Sequence, residues 1–363
     1  MSEREAYYQP LTRVSPHTTI RRERLLPIPG EVLVKIGDRV EPVDPVAQTS
    51  LPAGLRVVNA ARVLGVAPGK VPQHLLKEVG ETVEAKEPLI FKRWLFGLYR
   101  RTYGSPVSGT LVAVEEGELL LERAAVPFEL SACLKGMVIN IMPRFGAVIE
   151  TTGALIQGIW GTDKEAWGVI RLLTEEPNQP LSPDLIDVGC HGTIIMGSLV
   201  VEAETLRRAE GAQVRGLILG GIEPDLMDIA RALPFPVIVT DGIGPVPMST
   251  PIFELLREKN GQEASIKGTT KVRWEGLRPE IVIPVYRRED EEGPPVAPDT
   301  APLVEGSQVR IAAGPNIGAT GQVRALPTRT RPVGSGVRVK VAEVELDRGG
   351  RVLVPLANLE LLG

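Results

Sequence analysis

Gly220-Gly221 and Thr240-Asp241-Gly242-Ile243-Gly244 each end an apolar run, and they are the two turns where this chain could hold a small molecule. Glycine lacks a Cβ, so a phosphate or carboxylate can come close to the backbone amides, and the Asp241 carboxylate would take a hydroxyl, an amine or a metal. The same turns arise wherever φ must be positive, with no ligand involved. A second stretch, FKRWLFGLYRRTY at residues 91–103, gathers five of the fifteen aromatic residues together with four cations. Rings such as Trp94 and Tyr99 interleaved with Lys92, Arg93, Arg100 and Arg101 suit base stacking with phosphate contacts, a membrane surface, or a protein partner. Side chains of this kind also pack over a hairpin with their charged ends in water, and packing or protein contact is the favoured reading.

Other residue types contribute less. The histidines are His17, His74 and His191, and neither Cys133 nor Cys190 sits in a CxxC or near an HxxxH, so metal-ligand spacing is missing. Cys190 and His191 are neighbours, and side chains of neighbours in an extended segment point apart, which argues against a thiol and imidazole pair. Glu150, Asp163 and Glu165 surround Trp160 and Trp167 in a segment expected to cap a barrel. P-loop, GxSxG, GxGxxG and HExxH patterns do not occur. No catalytic residue, metal or cofactor is expected, and a binding protein is favoured over an enzyme.

The elements that must position these residues follow from composition and rhythm. At 363 residues and a net charge of −4 the chain has room for two or three cores, and any polyanion site must be local. Two cysteines suit a reducing compartment, and no run approaches the ~18 apolar residues of a spanning helix. A cytoplasmic location is the expectation.

Residues 1–24 are polar, contain Pro10 and Pro16, and predict a loose N-terminal arm. GEVLVKIGDRVEPVDPVAQ at residues 30–48 alternates apolar and polar residues around Gly37-Asp38, LLKEVGETVEAKEPLIF at 75–91 repeats that plan, and SPVSGTLVAVEEGELLLE at 105–122 adds a Ser-Pro turn and a strand. This series resembles the barrel-sandwich hybrid fold of biotinyl and lipoyl domains and implies one such β domain over residues 25–173. The carriers in that family present Met-Lys or Asp-Lys at a hairpin apex. Lys92 lies between Phe91 and Arg93 and does not match, so no attached cofactor is implied.

Over residues 174–286 the period changes. GTIIMGS (192–198), RGLILGG (215–221) and FPVIVTDGIG (235–244) read as strands. Segments 202–213, 224–233 and 249–261 read as helices, with Pro224 in a first turn, Ser249 as a cap and Gly261 as a stop. The alternation predicts an α/β domain with a largely parallel sheet. It is loosely similar to the swivelling β/α domains, whose phosphohistidine members carry a histidine after the Gly-Gly turn. Ile222-Glu223-Pro224-Asp225 stands there instead, so phosphotransfer is not implied. RREDEEGPPVAPDTAP at residues 287–302 predicts an acidic, proline-rich linker.

Beyond it, GSQVRIAAGPNIGATGQVRAL at residues 306–326 resembles the KOW motif of NusG-type elongation factors and of a large-subunit ribosomal protein. The resemblance implies an SH3-like barrel over residues 303–363 of the kind that contacts RNA or protein partners. Eight cations face five acids in this module; Arg324, Arg329 and Arg331 fall in one loop, with Arg338 and Lys340 after it, as a basic rim. The module has no aromatic residue, which leaves contacts to phosphate or protein and removes base stacking. The expectation is a three-part, mostly β binding or scaffolding protein that meets RNA, a protein or a ribonucleoprotein through this rim and the 91–103 hairpin. Two alternatives stay open: a ligand sensor or enzyme working at the α/β turns, and a peripheral membrane adaptor.

Overall fold

The computed structural model describes residues 12–94, 99–271, 277–285, 302–334 and 336–362; the side chains of Arg93, Trp94, Tyr99 and Arg100 fall outside the described set. The protein is mostly β, with mixed parallel and antiparallel sheets.

Two long strands form its spine. Thr12–Leu25 runs antiparallel to Gly146–Gln157, from Val14 opposite Ile156 to Leu25 opposite Gly146, with a bulge between Ser15 and Thr18. This corrects the loose arm expected for residues 1–24, at least from residue 12 onward. The apolar period is broken there because arginines point inward beside Ile20, and each finds a carboxylate far away in sequence. Arg24 donates to both Glu165 oxygens at 2.7 Å and to the Ser131 carbonyl at 3.0 Å, while Arg22 grips Glu280 at 2.7 and 2.6 Å. A charge withdrawn from water is tolerated only when it is paired in this way.

Residues 25–173 hold two small β modules, where one barrel was expected. In the outer module Arg39–Val40 and Pro45–Leu51 close against Gly136–Met142 and Val126–Ser131 around Val46, Val138, Ile149 and Leu155. The second turn repeat is inserted between Leu51 and Val126 and has its own core of Leu64, Leu89, Leu111, Leu119 and Leu121. Its sheet runs Leu55–Asn59, Glu118–Arg123, Gly109–Glu115, Thr82–Val83, and a hairpin of Pro88–Trp94 with Tyr99–Gly104 stands beside it.

The two repeats share their turn chemistry bond for bond. Gly37 (φ 92°) and Gly80 (φ 97°) occupy the left-handed position. Asp38 accepts from the Lys35 amide and Asp44 from the Glu41 amide; Glu81 and Glu87 accept from Glu78 and Glu84 in the same way. A side-chain carboxylate that caps the amide three residues back fixes each bend, so similar sequences make similar hairpins in separate cores.

The α/β sheet places Glu165–Leu172, Ile194–Met196, Gly216–Ile222 and Val237–Ile243 side by side in parallel. Antiparallel strands flank them: Glu263–Lys267 on one side, Trp160–Gly161 on the other. Glu280–Pro284 then joins this sheet to the spine strand Gly146–Gln157. The expected boundary at residues 173/174 therefore cuts the sheet, since Trp160 and Trp167 lie in its own strands. Helices Ala203–Gly211 and Met227–Ala232 cover one face through Leu206, Ala209 and Ala230, and Thr250–Glu258 buries Ile252, Phe253 and Leu256 on the other.

The C-terminal module is an antiparallel meander of Gln308–Ile311, Thr320–Ala325, Val341–Leu346 and Arg351–Pro355, and Leu359–Leu362 returns to pair with the first strand. Val309, Val323, Val344 and Leu359 fill its core. Its last strand also lies parallel to the start of the spine, Thr12 opposite Glu360 and Val14 opposite Leu362. Of the expected linker, residues 287–301 lie outside the described set.

Candidate functional site

The α/β turns come first, because their glycines were the ligand candidates. A Cβ on Gly220 would lie 2.3 Å from the Met248 amide nitrogen, one on Gly221 2.4 Å from the Val246 carbonyl oxygen, and one on Gly242 2.6 Å from Val246 Cγ2. The Gly220 and Gly221 amides both donate to the Ser198 carbonyl, at 2.5 and 3.1 Å, and the Gly244 amide donates to Ile222 at 2.8 Å. These glycines admit the chain's own residues 244–248, and their amides are engaged internally. Gly220→Ala is accordingly expected to cost about 1–3 kcal/mol by overpacking, read as a lower urea midpoint at unchanged slope.

Asp241 is equally committed. Its Oδ1 accepts from Arg310 Nη2 at 2.9 Å and its Oδ2 from the Thr240 hydroxyl at 2.7 Å. Arg310 Nε also donates to Glu360 at 2.5 Å, so one guanidinium from the C-terminal module joins the α/β sheet to the last strand. All three side chains are at most 7% exposed. Burial opposes the charge on Arg310, but the charge and hydrogen bond of Glu360, with those of Asp241, more than offset it and raise its pKa. Burial also pushes the Glu360 carboxyl above the ordinary carboxylate range; Arg310 and a hydrogen bond from Thr12 pull it down, and Asp241 adds to the rise. Two carboxylates share one cation, and the burial of Glu360 favours its protonated form.

Beside this trio opens a cleft of about 880 Å³ whose charged lining is Glu176, Asp241, Glu254 and Arg310. Three carboxylates against one guanidinium that is already bridged make it a poor receptor for a phosphate or a carboxylate. Ser249 precedes Thr250–Glu258 as expected, yet its hydroxyl makes no capping bond. Both thiols are buried, and burial pushes each thiol pKa up, which leaves Cys133 and Cys190 without the thiolate character of a nucleophile. Among the described residues no group of three or more His, Cys, Asp or Glu side chains is placed to hold a metal ion.

The basic rim has a different character. Arg331–Pro332 pairs with Arg338–Val339 in a small hairpin at the edge of the C-terminal module, where Arg324, Arg329, Arg331 and Arg338 are all exposed. Arg324 meets Glu345 at 2.5 Å, and its hydrogen bond holds that carboxyl below the ordinary range. Arg338 donates to the Thr330 carbonyl at 2.9 Å, and Lys340 is half-buried. Arg329 and Arg331 meet no carboxylate among the described residues.

In the 91–103 hairpin the register sets Lys92 opposite Arg101, Arg93 opposite Arg100 and Trp94 opposite Tyr99. The Lys92 ammonium donates to the Leu64 carbonyl and so ties the hairpin down. Phe91 meets His74 edge-on at 5.7 Å, while the exposed Arg101 lies 5.2 Å over the Tyr103 ring. The Arg310, Asp241 and Glu360 trio was not foreseen. Its one trace in the sequence is a charge set within apolar runs, as in Val309-Arg310-Ile311 and Leu359-Glu360-Leu361. No protein-family model matches this chain, and no curated protein matches it.

Proposed function

We propose that this chain is a non-catalytic binding or scaffolding protein whose C-terminal module, read as a KOW-type SH3-like barrel, offers its arginine rim to the phosphates of RNA or of a ribonucleoprotein partner. The observation that carries this reading is the contrast among the arginines. Arg22, Arg24 and Arg310 are matched to carboxylates inside the protein, whereas Arg329 and Arg331 stand exposed without one among the described residues. A free guanidinium on a mildly acidic protein releases counterions from a polyanion, and a module without aromatic rings reads backbone in preference to base. A cytoplasmic location belongs to the same reading; among the described residues no helix is long and apolar enough to cross a membrane.

Binding of a single-stranded RNA oligomer, followed by anisotropy across a salt series, tests it. The Arg324→Ala, Arg329→Ala, Arg331→Ala triple variant is expected to bind about tenfold or more weakly at low salt, with a log K against log salt slope shallower by roughly 2. An unchanged slope and affinity would remove RNA from the proposal.

A further inference from the structure

We infer that the nested module between Leu51 and Val126 accepts an acidic, extended segment of a partner protein as an added β-strand. Two sheet edges border one groove of about 360 Å³. The first is Leu55–Asn59, which stands at the end of its four-stranded sheet and among the described residues pairs only with Glu118–Arg123. The second is Tyr99–Gly104, which pairs only with Pro88–Trp94 among the described residues. Val57 and Val58 line one wall, Tyr103 and Pro106 the other, and Leu89 and Ile90, 1% and 2% exposed, lie beneath.

A strand with a single antiparallel neighbour turns alternate amides and carbonyls away from it, so each edge presents unpaired backbone groups. Natural edges of this kind are usually blunted by an inward charge, a proline or a covering loop. Here Leu55 and Val57 remain 59% and 49% exposed on an open edge. A guest strand lying between the two edges would pair with both and set alternate aliphatic side chains on Leu89 and Ile90, the geometry of strand addition.

Charge selects the guest. Arg56 is exposed on one wall and Arg101 stacks on Tyr103 of the other; neither meets a carboxylate among the described residues. The hairpin register also puts Lys92 opposite Arg101. Like charges directly opposite destabilise a strand pair, and carboxylates from an added strand would relieve that cost. The guest is therefore a stretch in which Glu or Asp alternates with Val, Ile or Leu.

The site is separate from the arginine rim and stands without it. The test titrates a labelled, end-blocked Glu-Val-Glu-Val-Glu-Val peptide into the full chain and follows anisotropy together with amide exchange. Saturable binding with protection of residues 55–59 is expected. The Lys-Val-Lys-Val-Lys-Val peptide, a Glu-Val peptide N-methylated at alternate amides, and the Arg56→Glu, Arg101→Glu variant should each bind about tenfold or more weakly. The N-methylated peptide tests the strand geometry with the protein unaltered. Arg329→Glu with Arg331→Glu should leave peptide affinity unchanged, which separates failure here from failure of the rim. The inference is overturned by absence of binding at about 1 mM peptide, by equal affinity for the N-methylated peptide, or by protection of residues 55–59 through self-association of the chain.

Discussion

Replacing Arg310 with methionine is expected to lower stability by about 3–5 kcal/mol, because it leaves Asp241 and Glu360 as facing carboxylates withdrawn from water with no cation between them. Equilibrium urea unfolding would read the loss. Because Glu360 sits above the ordinary carboxylate range, at pH values between its unfolded and folded pKa the folded protein holds a proton there that the unfolded chain has released. Its contribution is thus fully present below the ordinary carboxylate pKa and fades as pH rises through the raised one. Removing the guanidinium pushes Glu360 higher still, so the deficit should grow as pH rises through the carboxylate range and shrink as pH falls. Adding Glu360→Gln to the variant should recover part of the loss. A deficit under about 1 kcal/mol at neutral pH would mean that water reaches the trio and that the C-terminal module is not locked by it.

Arg24→Ala is expected to cost about 2–3 kcal/mol, less than Arg310 because Glu165 keeps 37% of its side chain in solvent and can rehydrate. The lost groups are three hydrogen bonds that tie the spine strand to the outer module and to the α/β sheet at once. The pH signature has the opposite sign. Burial raises the Glu165 carboxyl, but the Arg24 hydrogen bonds and charge overcome that and hold it below the ordinary range. Its contribution is present above the unfolded carboxylate pKa and disappears as pH falls through the lowered value. Across a pH series Glu165→Gln should therefore lose ground to the wild type as pH rises, while Glu360→Gln gains on it. Parallel profiles for the two variants would show that these carboxylates do not carry the protonation differences assigned to them.

The sequence exposed some of this architecture and hid the rest for physical reasons. The strands Gly216–Ile222 and Val237–Ile243 were plain because strands buried on both faces are apolar throughout. Both turn repeats were visible because Gly37 and Gly80 with their carboxylate caps are local devices. What local chemistry does not contain is which core a hairpin joins, so one repeat nested inside the other was read as a single barrel. Thr12–Leu25 was missed for a related reason: its inward arginines read as solvent-facing until Glu165 and Glu280 arrive from more than a hundred residues away. Asp241 and the glycine turns were recognised as unusual, but the groups that occupy them, Arg310 and residues 244–248, come from elsewhere in the chain. The exposure of Arg329 and Arg331 followed from a polar, proline-containing loop alone, because among the described residues no carboxylate reaches them from elsewhere in the chain.

The parallel pairing of residues 12–14 with 360–362 sets a timetable for biosynthesis. The intervening residues 15–359 must all leave the ribosome before Thr12–Val14 of the first strand can meet Glu360–Leu362, an interval on the order of half a minute at about 5–20 residues per second. Until then the opening segment of that strand has an uncovered flank in a crowded cell. Nascent chains stalled short of residue 359 should therefore be the species that recruit chaperones, and release of the finished strand should end that recruitment.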